Sequence, residues 1–283
     1  MIKEGHEEKL YLSLPIKELD NKEEVRCYQI GGEEYKELDI DILDKYNTVK
    51  LLKETPVIIK FNNEEALNRQ LFCFVYAELE TETKDCCILT EGEFYLVTKS
   101  YRKRVDDYYN KVNLVKIDKL TKWNGSKEGA FNKGQKADSI LVMDEQFVFP
   151  GNRDRFEVCD FLTKDKHIVH VKIFDVASQP LGHLFNQGML SAQCLTDDEI
   201  RPLIQQKIEE LQTNEQMTGF SIDPRFSSRD YTVTFLILCM REDRIDNKGR
   251  PIIPFLAKAV FKENGTAIEN LGFKLALACV GKA

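Results

Sequence analysis

The chain has 283 residues, 42% apolar and 31% charged, with 40 Lys and Arg against 47 Asp and Glu for a formal net charge of −7. These are the proportions of an ordinary globular chain, and they exclude fibrous, disordered and disulfide-scaffold classes. No apolar run approaches the ~18 residues of a membrane-spanning helix, and the charged start MIKEGHEEKL carries no secretory pattern, so a cytoplasmic location with no membrane partner is expected.

Residues 57–61, 72–78, 86–89 and 94–97 read as strands, the last two joined at Thr90-Glu91-Gly92 as a hairpin. Gly31-Gly32 marks a turn, and a short helix is expected over 64–69. A helix is expected from Ser100 to about Val115, because Tyr101, Val105, Tyr108, Tyr109 and Val112 recur at three- and four-residue steps. The Gly- and Lys-rich stretch 123–134 reads as loop. It suggests a boundary between an α+β segment, 1–125, and a core, 126–283. Strands follow at 139–143, 156–162 and 168–174. Ser178 is placed to cap a helix running to about Cys194, and Thr196 another to about Gln212. A strongly apolar strand at 231–240, a helix over 254–263 ended by Asn264-Gly265, and a strand at 273–280 complete the chain. The order is strand, strand, strand, two helices, strand, helix, strand. It implies an α/β (α+β) fold: a central mixed sheet flanked by helices.

Charge is unevenly placed. Residues 1–100 carry 13 basic and 22 acidic side chains, a net of −9, and the remainder is +2. Within that remainder, 101–136 holds ten Lys or Arg against four acids, a net of +6, interleaved with Tyr101, Tyr108, Tyr109, Trp123 and Phe131. Cations for phosphates and rings for bases are what a nucleic-acid surface needs, which makes Arg102, Lys103, Arg104, Lys111, Lys122, Trp123 and Lys127 candidates. A solvated helix with a lysine-rich linker gives the same composition. The acidic first hundred residues offer a place for a basic protein partner.

The eight cysteines form no C-x-x-C pair, and Cys73, Cys159, Cys239 and Cys279 sit in apolar runs as small hydrophobes. Neither a P-loop, a G-x-G-x-x-G nor a G-x-S-x-G is present. Chemistry is concentrated instead between 156 and 187. Asp160 and Lys172 stand charged among apolar strand residues, where a charge needs a partner or a metal. Strand alternation puts His170 and Lys172 on one face, and helical spacing puts His183 and Gln187 on another shared face.

This pattern resembles the core of the PD-(D/E)xK nuclease superfamily, with Asp160 as the first acid, Lys172 as the motif lysine and Gln187 as the helical glutamine. The resemblance implies a restriction-endonuclease-like core. It also implies a Mg²⁺ or Mn²⁺ site on Asp160 and the Val171 carbonyl, with Glu128 as an added acid, and a lysine that activates water. The second acid is replaced by His170, which leaves ligand, base and phosphate contact open as roles for the imidazole. Glu157 is the alternative source of the missing charge, although strict alternation sets it opposite Asp160 unless a bulge intervenes.

A second resemblance covers more of the chain. Cys87-Ile-Leu-Thr-Glu-Gly-Glu-Phe-Tyr, Ala130-Phe-Asn, Glu157-Val-Cys-Asp, His170-Val-Lys and His183-Leu-Phe-Asn-Gln-Gly are similar to motifs of a sporadically distributed family of uncharacterised bacterial proteins. That family is associated with mobile-element and phage-defence gene neighbourhoods. It has no settled activity and supplies no reaction; it is the nuclease-superfamily resemblance that implies a metal-dependent nuclease-like protein, on DNA rather than RNA. The alternative is an inactive nucleic-acid-binding or regulatory protein on the same fold.

Overall fold

Two positive-φ turns organise residues 1–104, the first of two units into which the chain divides. The computed structural model describes residues 9–12, 26–35, 42–61, 64–80, 85–135, 137–149, 151, 155–174, 179–222 and 226–283. In chain order the first unit holds β1 (Lys9–Leu12), β2 (Arg26–Ile30), β3 (Glu33–Tyr35), α1 (Ile42–Lys45), α2 (Val49–Glu54), β4 (Pro56–Phe61), β5 (Glu64–Gln70), β6 (Val75–Glu80), β7 (Cys86–Thr90) and β8 (Glu93–Val97). They form two antiparallel sheets, ordered β1-β6-β7-β8 and β3-β2-β4-β5. Gly31-Gly32 and Glu91-Gly92 all adopt positive φ, the geometry of tight two-residue hairpins. Ile30, Val57, Ile59, Leu71 and Phe74 are fully buried in this unit's core.

The helix expected over 64–69 is instead β5, which pairs antiparallel with β4 around an irregularity at Ile59/Lys60. The partner strand satisfies its backbone groups, and that outweighs the local helix preference. Likewise the expected strand at 72–78 begins only at Val75, after a 3₁₀ turn over Leu71–Phe74.

The second unit, 105–283, takes over within α3 (Lys99–Lys111). It continues with β9 (Asn113–Leu114), α4 (Glu128–Lys133), β10 (Ile140–Val142), β11 (Phe147–Val148), β12 (Phe156–Glu157), β13 (Phe161–Thr163) and β14 (His167–Phe174). Then follow α5 (Gln179–Thr196), α6 (Arg201–Asn214), β15 (Thr232–Cys239), α7 (Phe255–Asn270) and β16 (Lys274–Gly281). The units divide between Arg104 and Val105, earlier than the 125/126 boundary that composition suggests. The reason is physical: β9 is a strand of the second unit's sheet, and Trp123 is fully buried in that unit's core.

That sheet is mixed and six-stranded, ordered β10-β13-β14-β15-β16-β9. β10, β13 and β14 run antiparallel to their neighbours, whereas β14, β15, β16 and β9 are parallel. Alternation along β15 assigns the faces. Val233, Phe235 and Ile237 join Phe185 of α5 and Phe261 of α7 in one core, while Leu236 and Leu238 join Trp123, Phe131, Phe161, Val169 and Val171 in the other. Burial on both faces explains why β15 reads as a continuous apolar run.

Three sequence expectations shift here. The strand expected at 156–162 is broken into β12 and β13 at 158–160. Asn264-Gly265 does not end α7, because Gly265 is there for packing: a Cβ would lie 2.6 Å from Tyr108 Oη and 2.7 Å from Leu275 Cδ2. Thr196 closes α5 and does not cap the next helix; Asp197 accepts the N–H groups of Glu199 and Ile200 before α6 begins. Ser178 lies outside the described residues.

Candidate metal centre

β13 is short, so it leaves the outer edge of β14 unpaired beyond Val169. Two carboxylates occupy that edge. Asp160 Oδ2 accepts the Val171 N–H at 2.8 Å, and Glu128 Oε2 accepts the Ile173 N–H at 3.0 Å. They stand two strand residues apart, roughly 6.6 Å at ~3.3 Å per residue. The Val171 carbonyl shares this edge with its own N–H.

Asp160 is held from every side. Its N–H donates to Val169 O, its carbonyl accepts from Met143 N, and its Oδ1 accepts from Asn132 Nδ2 at 2.7 Å. Burial pushes its carboxyl up to about 8, opposed by the Val171 N–H and reinforced by the charges of Glu157, Asp144 and Glu128. Glu157 is also raised, first by burial, then by Asp144, Glu145 and Glu128, while the Glu145 N–H opposes the rise. Asp144 completes the group. Oxygens of Asp144, Glu157 and Asp160 all lie within 4.8 Å of one another, the one such group among the described residues.

The break at 158–160 is what makes this convergence possible, since regular alternation would have turned Glu157 away from Asp160. Three crowded carboxylates repel unless they share protons or a cation. Two oxygens nearby lack any hydrogen-bond partner although buried, Asp144 Oδ2 and Asn132 Oδ1. An all-oxygen donor set suits a hard divalent cation such as Mg²⁺ or Mn²⁺. The residues fit the ion.

Lys172 donates to Glu128 Oε1 at 2.9 Å, with both side chains partly buried beside the acidic group. His170 does not join them. It is 2% exposed, packs 6.2 Å from the Phe235 ring, and its Nε2 has no partner. Burial pushes this imidazole down to about 3, so it is neutral. His183 and Gln187 lie on the exposed face of α5, without a side-chain hydrogen bond to the acids. The structure thus gathers Asp160, Glu157, Glu128, Lys172 and the Val171 backbone, and leaves His170, His183 and Gln187 apart.

A sequence profile described as a family of unknown function, DUF6119, matches residues 1–281. The chain belongs to DUF6119. No curated protein and no solved structure matches it. Membership supplies no reaction, so the chemistry of this DUF6119 chain has to be read from its side chains.

Sequence reasoning missed two members of this DUF6119 site, Asp144 and Asn132. Asp144 directly follows the apolar run at 139–143, a strand-end acid, and Asn132 ends the Ala130-Phe-Asn motif. The basic tract divides. Lys111, Lys122 and Lys127 are exposed in the second unit, as are Lys116 and Lys119. Val115 N–H donates to Leu277 O and Ala283 N–H to Trp123 O, which fixes the loop at the carboxyl end of β16. Trp123, expected as a stacking ring, is instead 0% exposed, with its Nε1 donating to Ser126 O. In α3, Lys103 and Arg104 are exposed and Arg102 is half-buried.

Proposed function

We propose that this DUF6119 protein is a divalent-metal-dependent, nuclease-like phosphodiester hydrolase. The carrying observation is the convergence of Asp144, Glu157 and Asp160 within 4.8 Å beside the Lys172–Glu128 pair on one sheet edge. Asp144, Glu157 and Asp160 would hold Mg²⁺ or Mn²⁺, which supplies Lewis acidity and a lowered pKa for bound water. Lys172 places a cation where charge develops on a phosphoryl oxygen. Glu128 orients that ammonium, and Asn132 and the Val171 N–H orient Asp160.

The exposed lysines of the 115–127 loop, Lys122 and Lys127 among them, would contact the backbone of a nucleic acid, DNA before RNA. They lie at the carboxyl ends of parallel strands, where α/β sheets place ligands. A role in phage defence or mobile-element biology rests on the resemblance alone, and a cytoplasmic location on the charged amino-terminal sequence.

One observation favours a second reading, a nucleic-acid-binding or regulatory protein that does not cut. The position of the superfamily's second acid is His170, and it is buried against Phe235. The test is cleavage of single- and double-stranded DNA and RNA with Mg²⁺ or Mn²⁺, comparing wild type with Lys172→Ala and Asp160→Asn. A loss of ~10²–10⁴-fold supports hydrolysis. Equal activity in all three proteins overturns it, and binding without cleavage selects the second reading.

A further inference from the structure

β8 is the outer strand of its sheet, and three consecutive residues on it are exposed although apolar: Phe94 at 54%, Tyr95 at 49% and Leu96 at 68%. The turn before it fixes which backbone groups are free. Glu91 and Gly92 both have positive φ, so Thr90 and Glu93 flank a two-residue hairpin as a hydrogen-bonded pair. Alternation then makes Ile88–Tyr95 and Cys86–Val97 hydrogen-bonded as well. Phe94 and Leu96 therefore turn their N–H and C=O groups outward, to an edge that no strand of the described residues covers. Edges are kept single by charged side chains, lysine above all, by proline or by a bulge. β8 has no lysine, proline or bulge, its one charge is Glu93 at the turn, and its register with β7 is unbroken.

We infer that β8 pairs antiparallel with β8 of a second copy, about a twofold axis through Tyr95. The strand is self-complementary in this register. Phe94 falls opposite Leu96 of the partner subunit as a hydrogen-bonded pair, and Tyr95 falls opposite its own counterpart as a non-hydrogen-bonded pair. All five residues of β8 then find partners, and the two four-stranded sheets become one. Charge selects the direction: parallel pairing would stack Glu93 on Glu93, whereas antiparallel pairing sets Glu91 and Glu93 beside the end of the partner strand that leads into Lys99, whose ammonium also lies 3.7 Å from Asp85. Such a contact is isologous and closes at two copies.

The inference is independent of the metal centre, and its test uses the full chain. Sedimentation equilibrium at micromolar concentration should give a dimer, and Leu96→Pro a monomer with an unchanged circular dichroism spectrum. Proline removes only the outward N–H and is tolerated at an edge. Register is read by cysteine scanning. Non-hydrogen-bonded pairs bring Cα atoms to ~4.5 Å, within disulfide reach. Tyr95→Cys should therefore form a covalent dimer on mild oxidation, above the background of the native cysteines, and Phe94→Cys should not. A monomeric wild type overturns the inference, as does a dimer that survives Leu96→Pro. Equal cross-linking at 94 and 95 also overturns it, and this comparison still decides if the proline variant fails to fold.

Discussion

Lys172 and Glu128 meet at 2.9 Å on the outer edge of β14, and the other oxygen of the same carboxylate accepts the Ile173 N–H at 3.0 Å. One acid thus closes a strand edge and fixes a cation. Lys172→Met leaves that carboxylate partly buried without its countercharge. Because both partners keep some solvent, the cost should be about 1–2 kcal/mol, below that of breaking a fully buried pair. Glu128→Gln keeps an acceptor for Ile173 and should cost less. Urea denaturation of the two variants checks the order, and a larger loss in Glu128→Gln contradicts it.

Metal binding should be coupled to pH through Asp160. Its carboxyl ionises near 3.8 when unfolded and near 8 in the fold. Between those values the folded chain keeps a proton that the unfolded chain has lost, so metal-free stability falls as pH rises from about 4 to 8. A cation removes that penalty by displacing the proton. Mn²⁺ at ~100-fold above its Kd should add about 2.7 kcal/mol, with apparent affinity rising from pH 6 to 8. Asp160→Asn should abolish the thermal shift. A wild-type shift independent of pH would show that Asp160 is not among the ligands.

His170 works in the opposite direction. Its imidazole titrates near 6.5 when unfolded and about 3 when folded. From pH 6.5 downward the unfolded chain takes up a proton that the buried ring refuses, so stability is lost with acid at about 1.4 kcal/mol per pH unit. His170→Leu keeps an apolar contact for Phe235 and removes this dependence. Because Asp160 contributes the opposite slope in both proteins, the readout is the difference: the variant's melting temperature should rise relative to wild type progressively from pH 6.5 to 4.5, and parallel profiles would refute the assignment.

How much of this was legible in the sequence depends on what the signals measured. Apolar periodicity located β14, β15, α5 and β16 within a few residues, because each buries a face or a whole run. The acid and lysine on neighbouring strands were visible as costly charges. The break at 158–160 was not, because it is set by pairing: β12 follows β11 while β13 follows β10 and β14. That break brings Glu157 round to Asp160. His170 shared a strand face with Lys172 by parity, yet a long lysine reaches the sheet edge and an imidazole does not. Gly265 read as a stop signal because sequence cannot show that Tyr108 lies against it.

Gly188 gives a related test. It lies within α5, where alanine would ordinarily be favoured by ~1 kcal/mol. Here a Cβ would overlap the Phe235 ring and come within 3.2 Å of Val233 Cγ1. Strand and ring are fixed by packing on Phe185 and Phe261, so they cannot yield. Gly188→Ala should therefore destabilise by about 1–3 kcal/mol. A stabilised variant would mean that α5 can move away from β15.

Trp123 and its lysine neighbours should separate cleanly by experiment. The ring is fully buried with Phe131, Phe161 and Leu236, and its Nε1 is satisfied by Ser126 O. Trp123→Ala removes a large core side chain and should cost about 3–5 kcal/mol. If the protein binds DNA as proposed, that variant, at a temperature where it is folded, should keep the wild-type salt dependence of affinity, because a buried ring stacks on no base. Lys122 and Lys127 are exposed and present only charge. If both neutralise phosphates, Lys122→Ala with Lys127→Ala should lower the slope of log K against log salt by about 1.8, at ~0.9 per contact, without changing the melting temperature. Fluorescence anisotropy across a salt series, with melts of the same samples, measures both quantities. A Trp123 variant that is stable but loses DNA would return the ring to the interface.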